Sequence, residues 1–174
     1  MVRSGNSNEN NATSTAIALE SVTTSLTVRP LKEADHASWL TLWNSYLADC
    51  VAEGIAAPPS ECTELNWFRL LSNEEAVFGL MAEIEGECVG FVHYIFHRST
   101  FHVDSICYLQ DLYTSPSFRG QGIARSLIEA VSTAATLVGA KRVYWQTAQS
   151  NEKAISLYER IATRTRTFSY RMSP

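Results

Sequence analysis

A short glycine-rich turn between a strand-like stretch and an amphipathic stretch constrains this fold most. The turn reads Arg119-Gly120-Gln121-Gly122-Ile123-Ala124. Apolar residues then recur with the spacing of one helix face, at Ile123, Leu127, Val131, Ala134 and Val138. The pattern predicts a strand over 108–114, the turn, and a helix over 122–138 that stops at Gly139.

The predicted helix start is suited to binding a phosphate group. The first N–H groups of a helix lack intrahelical partners, and the helix dipole adds positive potential there. Together they form a seat for a pyrophosphate. Gly120 and Gly122 allow close approach of the backbone, and Arg119 can add a charge-assisted contact. Taken alone, a glycine-rich helix start without a ligand explains the turn nearly as well.

Spacing tests two other kinds of phosphate-binding loop. A Walker A loop requires GxxxxGK(S/T), and the sequence has none. A dinucleotide-binding GxGxxG loop requires glycine where Arg125 stands, so that interpretation fails.

The rest of the chain predicts the element order β-α-α-β-β-β-α-β-α-β in one domain over 25–174. Residues 1–24 are rich in Ser, Asn, Thr and Ala, and we expect a disordered leader there. Asp35 is a candidate cap for the first helix, and Glu85-Gly86 a candidate hairpin turn. A polar loop is expected over 97–104. The other predicted strands cover 26–30, 77–83, 88–96, 142–147 and 167–171, and the last helix covers 151–161.

Composition narrows the function. The formal net charge of -4 argues against a general nucleic-acid binder. The four cysteines form no CxxC pair, which favours reduced thiols over disulfides or zinc. His93 and His97 lie in a strand-like stretch, so we expect no metal site. No apolar run suits a membrane span, and neither a secretory nor a transit signal is recognised, which favours a cytoplasmic location.

The turn and its surroundings resemble the GNAT superfamily of N-acetyltransferases. Arg119, Gly122 and Ala124 match that family's acetyl-CoA signature, Arg/Gln-x-x-Gly-x-Gly/Ala. The resemblance is strong from Tyr108 to Tyr158 and extends from about 26 to 171. It implies an α/β (α+β) GNAT fold, with a mixed, largely antiparallel twisted sheet of about six to seven strands flanked by four helices. Within the family, the stretches 109–112 and 143–145 resemble a subgroup of histone, polyamine and D-amino-acid acetyltransferases.

The resemblance also implies a binding site for acetyl-CoA as the co-substrate, with no metal. The pantetheine arm would contact the central strand and the last helix, and the pyrophosphate would lie in the glycine-rich turn. The implied cofactor-binding residues are Leu112, Tyr113, Thr114, Arg119, Gly120, Gln121, Gly122, Ile123, Ala124, Arg125, Asn151 and Ala154.

Tyr158 is the expected general acid, because the resemblance places it near the thioester sulfur and a phenol can protonate a departing thiolate. A core tyrosine is the alternative. The general base is less well defined, since relatives often carry a glutamate where this chain has Gln110 and Asp111. Asp111 is the candidate base, directly or through a water, and a buried structural carboxylate is an equal interpretation. Glu83 is a weaker candidate.

The expected acceptor is a primary amine of a small molecule, either a polyamine or an amino acid, which attacks acetyl-CoA directly in a ternary complex. Protein or peptide lysine acetylation and a non-catalytic acyl-CoA sensor are the alternatives, and a homodimer is left open. Acidic side chains at Asp49, Glu53, Glu61 and Glu64 either attract an ammonium group or form a solvated face. The substrate wall, or else the core, would include Gln110, Tyr144, Trp145, Gln146, Tyr46 and Trp67.

Overall fold

The computed structural model describes residues 25–172, so the predicted leader over 1–24 lies outside the described residues. The strands are β1 (Leu26–Pro30), β2 (Val77–Ile84), β3 (Glu87–Ser99), β4 (His102–Thr114) and β5 (Val143–Tyr144). The helices are α1 (His36–Ala52), α2 (Ser60–Leu71), α3 (Ile123–Leu137) and α4 (Glu152–Ile161). Short 3-10 turns precede α1 and α3.

The strands form one sheet in the order β1-β2-β3-β4-β5. Neighbouring strands are antiparallel except β4 and β5, which are parallel. This confirms the predicted mixed, largely antiparallel sheet with four helices. The described residues contain five strands rather than the six to seven expected.

Two predicted segments near the sheet are wrong. The polar loop expected over 97–104 is instead the tip of a long hairpin, because His97 pairs with Ile106 and Ser99 with His102. The strand expected over 167–171 is irregular, although its apolar residues alternate. Phe168 and Tyr170 are 84% and 91% exposed. Alternation predicts a strand only where a neighbouring strand and a core face are available.

Asp35 lies at the N-cap of α1, but its carboxylate does not cap that helix. It accepts from the Lys32 backbone N–H at 2.8 Å and from both terminal nitrogens of Arg29. The predicted cap is therefore replaced by an ion pair that joins the start of α1 to β1.

The sheet separates two hydrophobic clusters. On one face, Leu109 and Leu112 of β4 pack with α3 and the partly buried residues of α4. On the other face, Phe91 and Tyr113 pack with the tryptophans of α1 and α2. Because β4 contributes to both clusters, both groups of helices meet along this strand.

Candidate active site

The strand β4 carries a bulge in its pairing with β3, and its pairing with β5 is short. His93 pairs with Asp111, and the next residue, Tyr94, pairs with Leu109, so Gln110 is an extra, unpaired residue. Such bulges re-aim side chains and are common next to active sites. The pairing with β5 covers only Cys107 and Tyr108. Within residues 25–172, no strand pairs with 109–114 on this side, which leaves backbone groups for a ligand.

The start of α3 provides a second set of backbone groups beside this opening. Gly120 and Gly122 have φ of 80° and 85°, a conformation that favours glycine. No side chain caps the helix, and its first N–H bond runs from Ser126 to the carbonyl of Gly122. In the described part of the chain, the N–H groups of 123–125 have no hydrogen-bond acceptor. These groups fit a pyrophosphate.

Arg119 joins this helix start to β4 and α1. Its Nε donates to the carbonyl of Thr114 at 2.9 Å, and a terminal nitrogen lies 2.7 Å from a carboxylate oxygen of Asp49. The guanidinium carbon lies 5.6 Å from the centre of the Tyr113 ring. The side chain is still half exposed, so it can also reach an anion.

Thr114 provides a specific test of the predicted cofactor contacts. Its hydroxyl is buried, and no group in residues 25–172 forms a hydrogen bond with it. A buried hydroxyl without a partner is costly, and native proteins rarely keep one. Thr114 is the last residue of β4, and the start of α3 follows it in the chain. The hydroxyl is therefore suited to a polar group of a ligand such as the pantetheine arm.

Asn151 has a local structural role. Its Oδ1 accepts from the backbone N–H of Ala154 at 3.2 Å, so the side chain caps α4. Only its side-chain N–H₂ group remains to donate to pantetheine, as the resemblance implies. The cap directs the first turn of α4 and thereby places Tyr158 further along the same helix.

Tyr158 lies on α4 and faces the residues that follow β5. Its ring packs edge-to-face on Trp145, with ring centres 5.3 Å apart. Burial raises the pKa of Tyr158 above its ordinary value. The phenol is therefore protonated at neutral pH, which is the form that a general acid requires.

Asp111 lies in a polar network on the opposite face of the sheet. Its Oδ1 accepts from the hydroxyl of Tyr46 at 2.9 Å, and its Oδ2 lies 3.0 Å from Nδ1 of His93. Nε2 of His93 lies 3.0 Å from the indole nitrogen of Trp39. Burial, and next the charge of Asp111, raise the pKa of Tyr46, so its hydroxyl stays a donor.

Four other residues predicted for catalysis or for substrate binding form no side-chain hydrogen bond with Asp111 or Tyr158 in the described part of the chain. Glu83 lies two strands away on β2, paired with Arg29 at 2.8 Å. Gln110 is exposed at the bulge. The hydroxyl of Tyr144 lies 2.8 Å from Nε2 of His97, and Gln146 donates to Ser169 at 3.1 Å. Among the hydrogen bonds of residues 25–172, none joins Asp111 directly to Tyr158.

Sequence reasoning missed His93 and Trp39. The spacing of His93 and His97 bears only on the absence of a metal site, yet His93 is 1% exposed and hydrogen-bonded at both ring nitrogens. The signal was a single imidazole in the apolar stretch Phe91-Val92-His93-Tyr94-Ile95. A buried polar group of this kind requires partners.

Neither a metal cluster nor a membrane-spanning helix is found in the described residues. No group of three or more His, Cys, Asp or Glu side chains within 25–172 could hold a metal ion. No helix in that range is long and apolar enough to cross a membrane.

Comparison with known families agrees with this geometry. The model of the acetyltransferase (GNAT) family matches residues 39–162, which include the β4 bulge, the start of α3 and Tyr158. The chain belongs to the GNAT acetyltransferase family. It is therefore an acyltransferase, and the resemblance of the glycine-rich turn to the family signature is confirmed.

Two N-acetyltransferases are similar in sequence to this GNAT chain. A D-amino-acid N-acetyltransferase of Saccharomyces cerevisiae is 31% identical over 142 residues, covering 80% of this chain and 86% of its own. A thialysine N-epsilon-acetyltransferase of Sus scrofa is 36% identical over 83 residues, 47% of this chain and 48% of its own. The second match therefore spans about half of either protein.

Solved structures share the fold at low identity. The ribosomal-protein-alanine N-acetyltransferase from Brucella melitensis biovar Abortus 2308 aligns with a TM-score of 0.68 and 23% identity, covering 86% of this chain and 99% of its own. The enzyme AAC(6')-Iy, in complex with a CoA bisubstrate analogue, aligns with a TM-score of 0.72 and 17% identity, covering 87% and 100%. Structural neighbours of this fold thus bind CoA.

Proposed function

We propose that this GNAT enzyme transfers the acetyl group of acetyl-CoA to a primary amine of a small molecule, a polyamine or an amino acid. One observation carries the proposal: the open edge of β4 is followed, after a 3-10 turn and the glycine-rich turn, by the uncapped start of α3. An open strand edge can pair with the amides of a pantetheine arm, and a helix start can bind its pyrophosphate. Along the chain the strand edge comes before the helix start, and along acetyl-CoA the pantetheine arm comes before the pyrophosphate, counted from the acetyl group.

The residues along the strand edge, the helix start and α4 each contact a different part of acetyl-CoA in this proposal. Leu112, Tyr113 and Thr114 offer backbone groups, and the buried hydroxyl of Thr114 offers a side-chain contact. The backbone N–H groups of residues 120–125 bind the phosphates, with the guanidinium of Arg119 beside them. At α4, Asn151 donates its free amide hydrogens, and Ala154 is small enough to leave room.

The reaction requires three proton movements. A primary ammonium, with a pKa of ~10.4, must lose a proton before its nitrogen can attack the thioester carbonyl. Asp111 accepts that proton, directly or through a water. As the new C–N bond forms, the C–S bond breaks, and the sulfur takes the phenolic proton of Tyr158. The nitrogen releases its second proton as the amide forms, and this proton passes through water to the phenolate of Tyr158 and restores the phenol. Asp111 contacts the α1 side of the sheet and Tyr158 packs on the other side, so we propose that amine and thioester meet at the opening beside β4.

The named relatives support a small acceptor. Proteins named for D-amino acids and for thialysine are both similar to this chain, and both compounds present a free primary amine. The acidic side chains of Glu53, Glu61 and Glu64 are exposed on α2 and the segment before it. They would attract an acceptor that carries positive charge.

Two measurements test the proposal. Acetyl-CoA should raise the melting temperature of the protein, since a ligand that binds only the folded state stabilises it. Thiol release should then appear with spermidine or with an amino acid. Thiol release with a lysine peptide alone would contradict the small-amine assignment, and cofactor binding without turnover on any amine would indicate an acyl-CoA sensor.

A further inference from the structure

A continuous row of polar side chains runs through the core from α1 to β4. The indole nitrogen of Trp39 lies 3.0 Å from Nε2 of His93, and Nδ1 of His93 lies 3.0 Å from Oδ2 of Asp111. The hydroxyl of Tyr46 completes the row at Oδ1 of Asp111, at 2.9 Å. Trp39 and His93 are 0% and 1% exposed, so water does not compete for these bonds.

The donors and acceptors of this row have only one consistent arrangement. An indole N–H can only donate, so Nε2 of His93 must carry a lone pair. The imidazole is therefore neutral, and its single proton lies on Nδ1. That proton is donated to Oδ2 of Asp111. An ionised carboxylate can only accept, so it complements both of its neighbours.

The two donors fix the orientation of the carboxylate. Tyr46 contacts one oxygen from α1, and His93 contacts the other from β3. Rotation of the Asp111 side chain would break one bond or both. The fixed carboxylate lies next to the Gln110 bulge, where the edge of β4 opens. Each oxygen keeps one further lone pair for a substrate or a water.

We propose that His93 is a positioning residue for acetyl transfer: with its tautomer fixed by Trp39, it holds Asp111 in the orientation that receives the proton of the acceptor amine. The inference rests on the proposed function of Asp111 as the general base. The amine proton moves to Asp111, directly or through a water, and His93 keeps its own proton throughout. A purely structural histidine would affect folding and leave the chemical step unchanged.

Two substitutions of nearly the same size distinguish these roles. His93→Asn places an amide N–H near the position of Nδ1 and keeps the bond to Asp111, while it loses the contact with Trp39. His93→Gln extends its amide to the position of Nε2, where its oxygen can accept from Trp39, and it loses the bond to Asp111. Each variant thus keeps one of the two hydrogen bonds.

We expect His93→Gln to lower kcat by about 10- to 100-fold, since small misplacements of a catalytic group have costs of this size. His93→Asn should keep most of the kcat, and the KM for acetyl-CoA should change little in either variant. Melting temperatures measured in parallel report the structural effect. Equal kcat in the two variants, or kcat losses that follow the losses in melting temperature, would overturn the proposal.

A second measurement leaves His93 in place. Side-chain ¹⁵N NMR should show the proton of His93 on Nδ1 in the wild-type protein. A wild-type proton on Nε2 would overturn the inference.

An Asp111→Asn variant separates this inference from the proposed function. Unchanged kcat in that variant would overturn the role of Asp111 and the positioning role with it. A lower kcat there, combined with wild-type kcat in His93→Gln, would overturn the inference about His93 alone.

Discussion

At the scale of single residues, Tyr158 is the side chain whose chemistry can be tested most directly. Its phenol is half-buried against Trp145, and its raised pKa keeps the proton in place for the departing sulfur. Tyr158→Phe removes that proton and keeps the packing. We expect kcat to fall by ~10²–10⁴-fold, the usual contribution of a general acid. Acetyl-CoA affinity, measured by calorimetry, should stay the same, and wild-type turnover with chemistry rate-limiting would contradict the role.

The buried thiol of Cys107 should make the free energy of unfolding depend on pH. Burial raises the pKa of its thiol from 9.0 to about 11. Because the folded pKa lies above the unfolded one, the contribution to stability is complete below pH 9. This contribution is lost as the pH rises through about 11, and the free energy of unfolding falls by up to ~1.4 kcal/mol for each pH unit.

The Cys107→Ala variant isolates this contribution. It is less stable at neutral pH because of the lost packing, but its free energy of unfolding should decline less between pH 9 and about 11 than that of the wild type. Urea titrations at three pH values measure the difference. Parallel curves for the two proteins would contradict the assignment.

At the scale of elements, the two ends of α3 provide a matched pair of substitutions. Gly122 precedes the helix with φ of 85°, and Gly139 follows it with φ of 73°. A Cβ at either position would meet no atom within 4 Å. Gly122→Trp and Gly139→Trp should therefore cost similar stability, about 1–2 kcal/mol, from the left-handed backbone alone.

Only the first substitution should affect the cofactor. A tryptophan at Gly122 fills the space in front of the free N–H groups of 123–125, so acetyl-CoA affinity should fall by more than about tenfold. Gly139→Trp should bind acetyl-CoA like the wild type. A folded Gly122→Trp variant with unchanged acetyl-CoA affinity would contradict the proposed pyrophosphate site.

At the scale of the whole molecule, the distribution of charge decides how the acceptor approaches. Asp49 is balanced by Arg119, whereas within residues 25–172 no cation pairs with Glu53, Glu61 or Glu64. Exposed charges are screened over a Debye length of ~8 Å at physiological salt. The KM for spermidine should therefore rise with ionic strength, and the KM for a zwitterionic amino acid should change much less. The triple variant in which these three glutamates become glutamine is the control, and it should abolish the salt effect on spermidine.

Features set by neighbouring residues could be predicted from the sequence. The glycine-rich turn is one, because Gly120 and Gly122 satisfy a backbone requirement within the turn itself. The long helix after it is another, since its apolar spacing alone predicts α3. The order of the four helices and of the strands β1 to β5 followed from similar local patterns. These were also the features on which the resemblance to the GNAT family depended.

Features set by distant partners required the tertiary structure. Alternation over 167–171 resembled a strand, but no strand among residues 25–172 pairs with it. Asp111 could be named as a candidate base, yet its partners Tyr46 and His93 lie 65 and 18 positions away in the sequence. Their contact depends on how β3 is registered against β4 around the Gln110 bulge and on how α1 packs across the sheet. The sequence by itself determined the family, the turn and the acid candidate, because those depend on local backbone and side-chain types. Only the tertiary structure decided what Asp111 touches, because a one-residue change in strand register would turn its side chain to the other face.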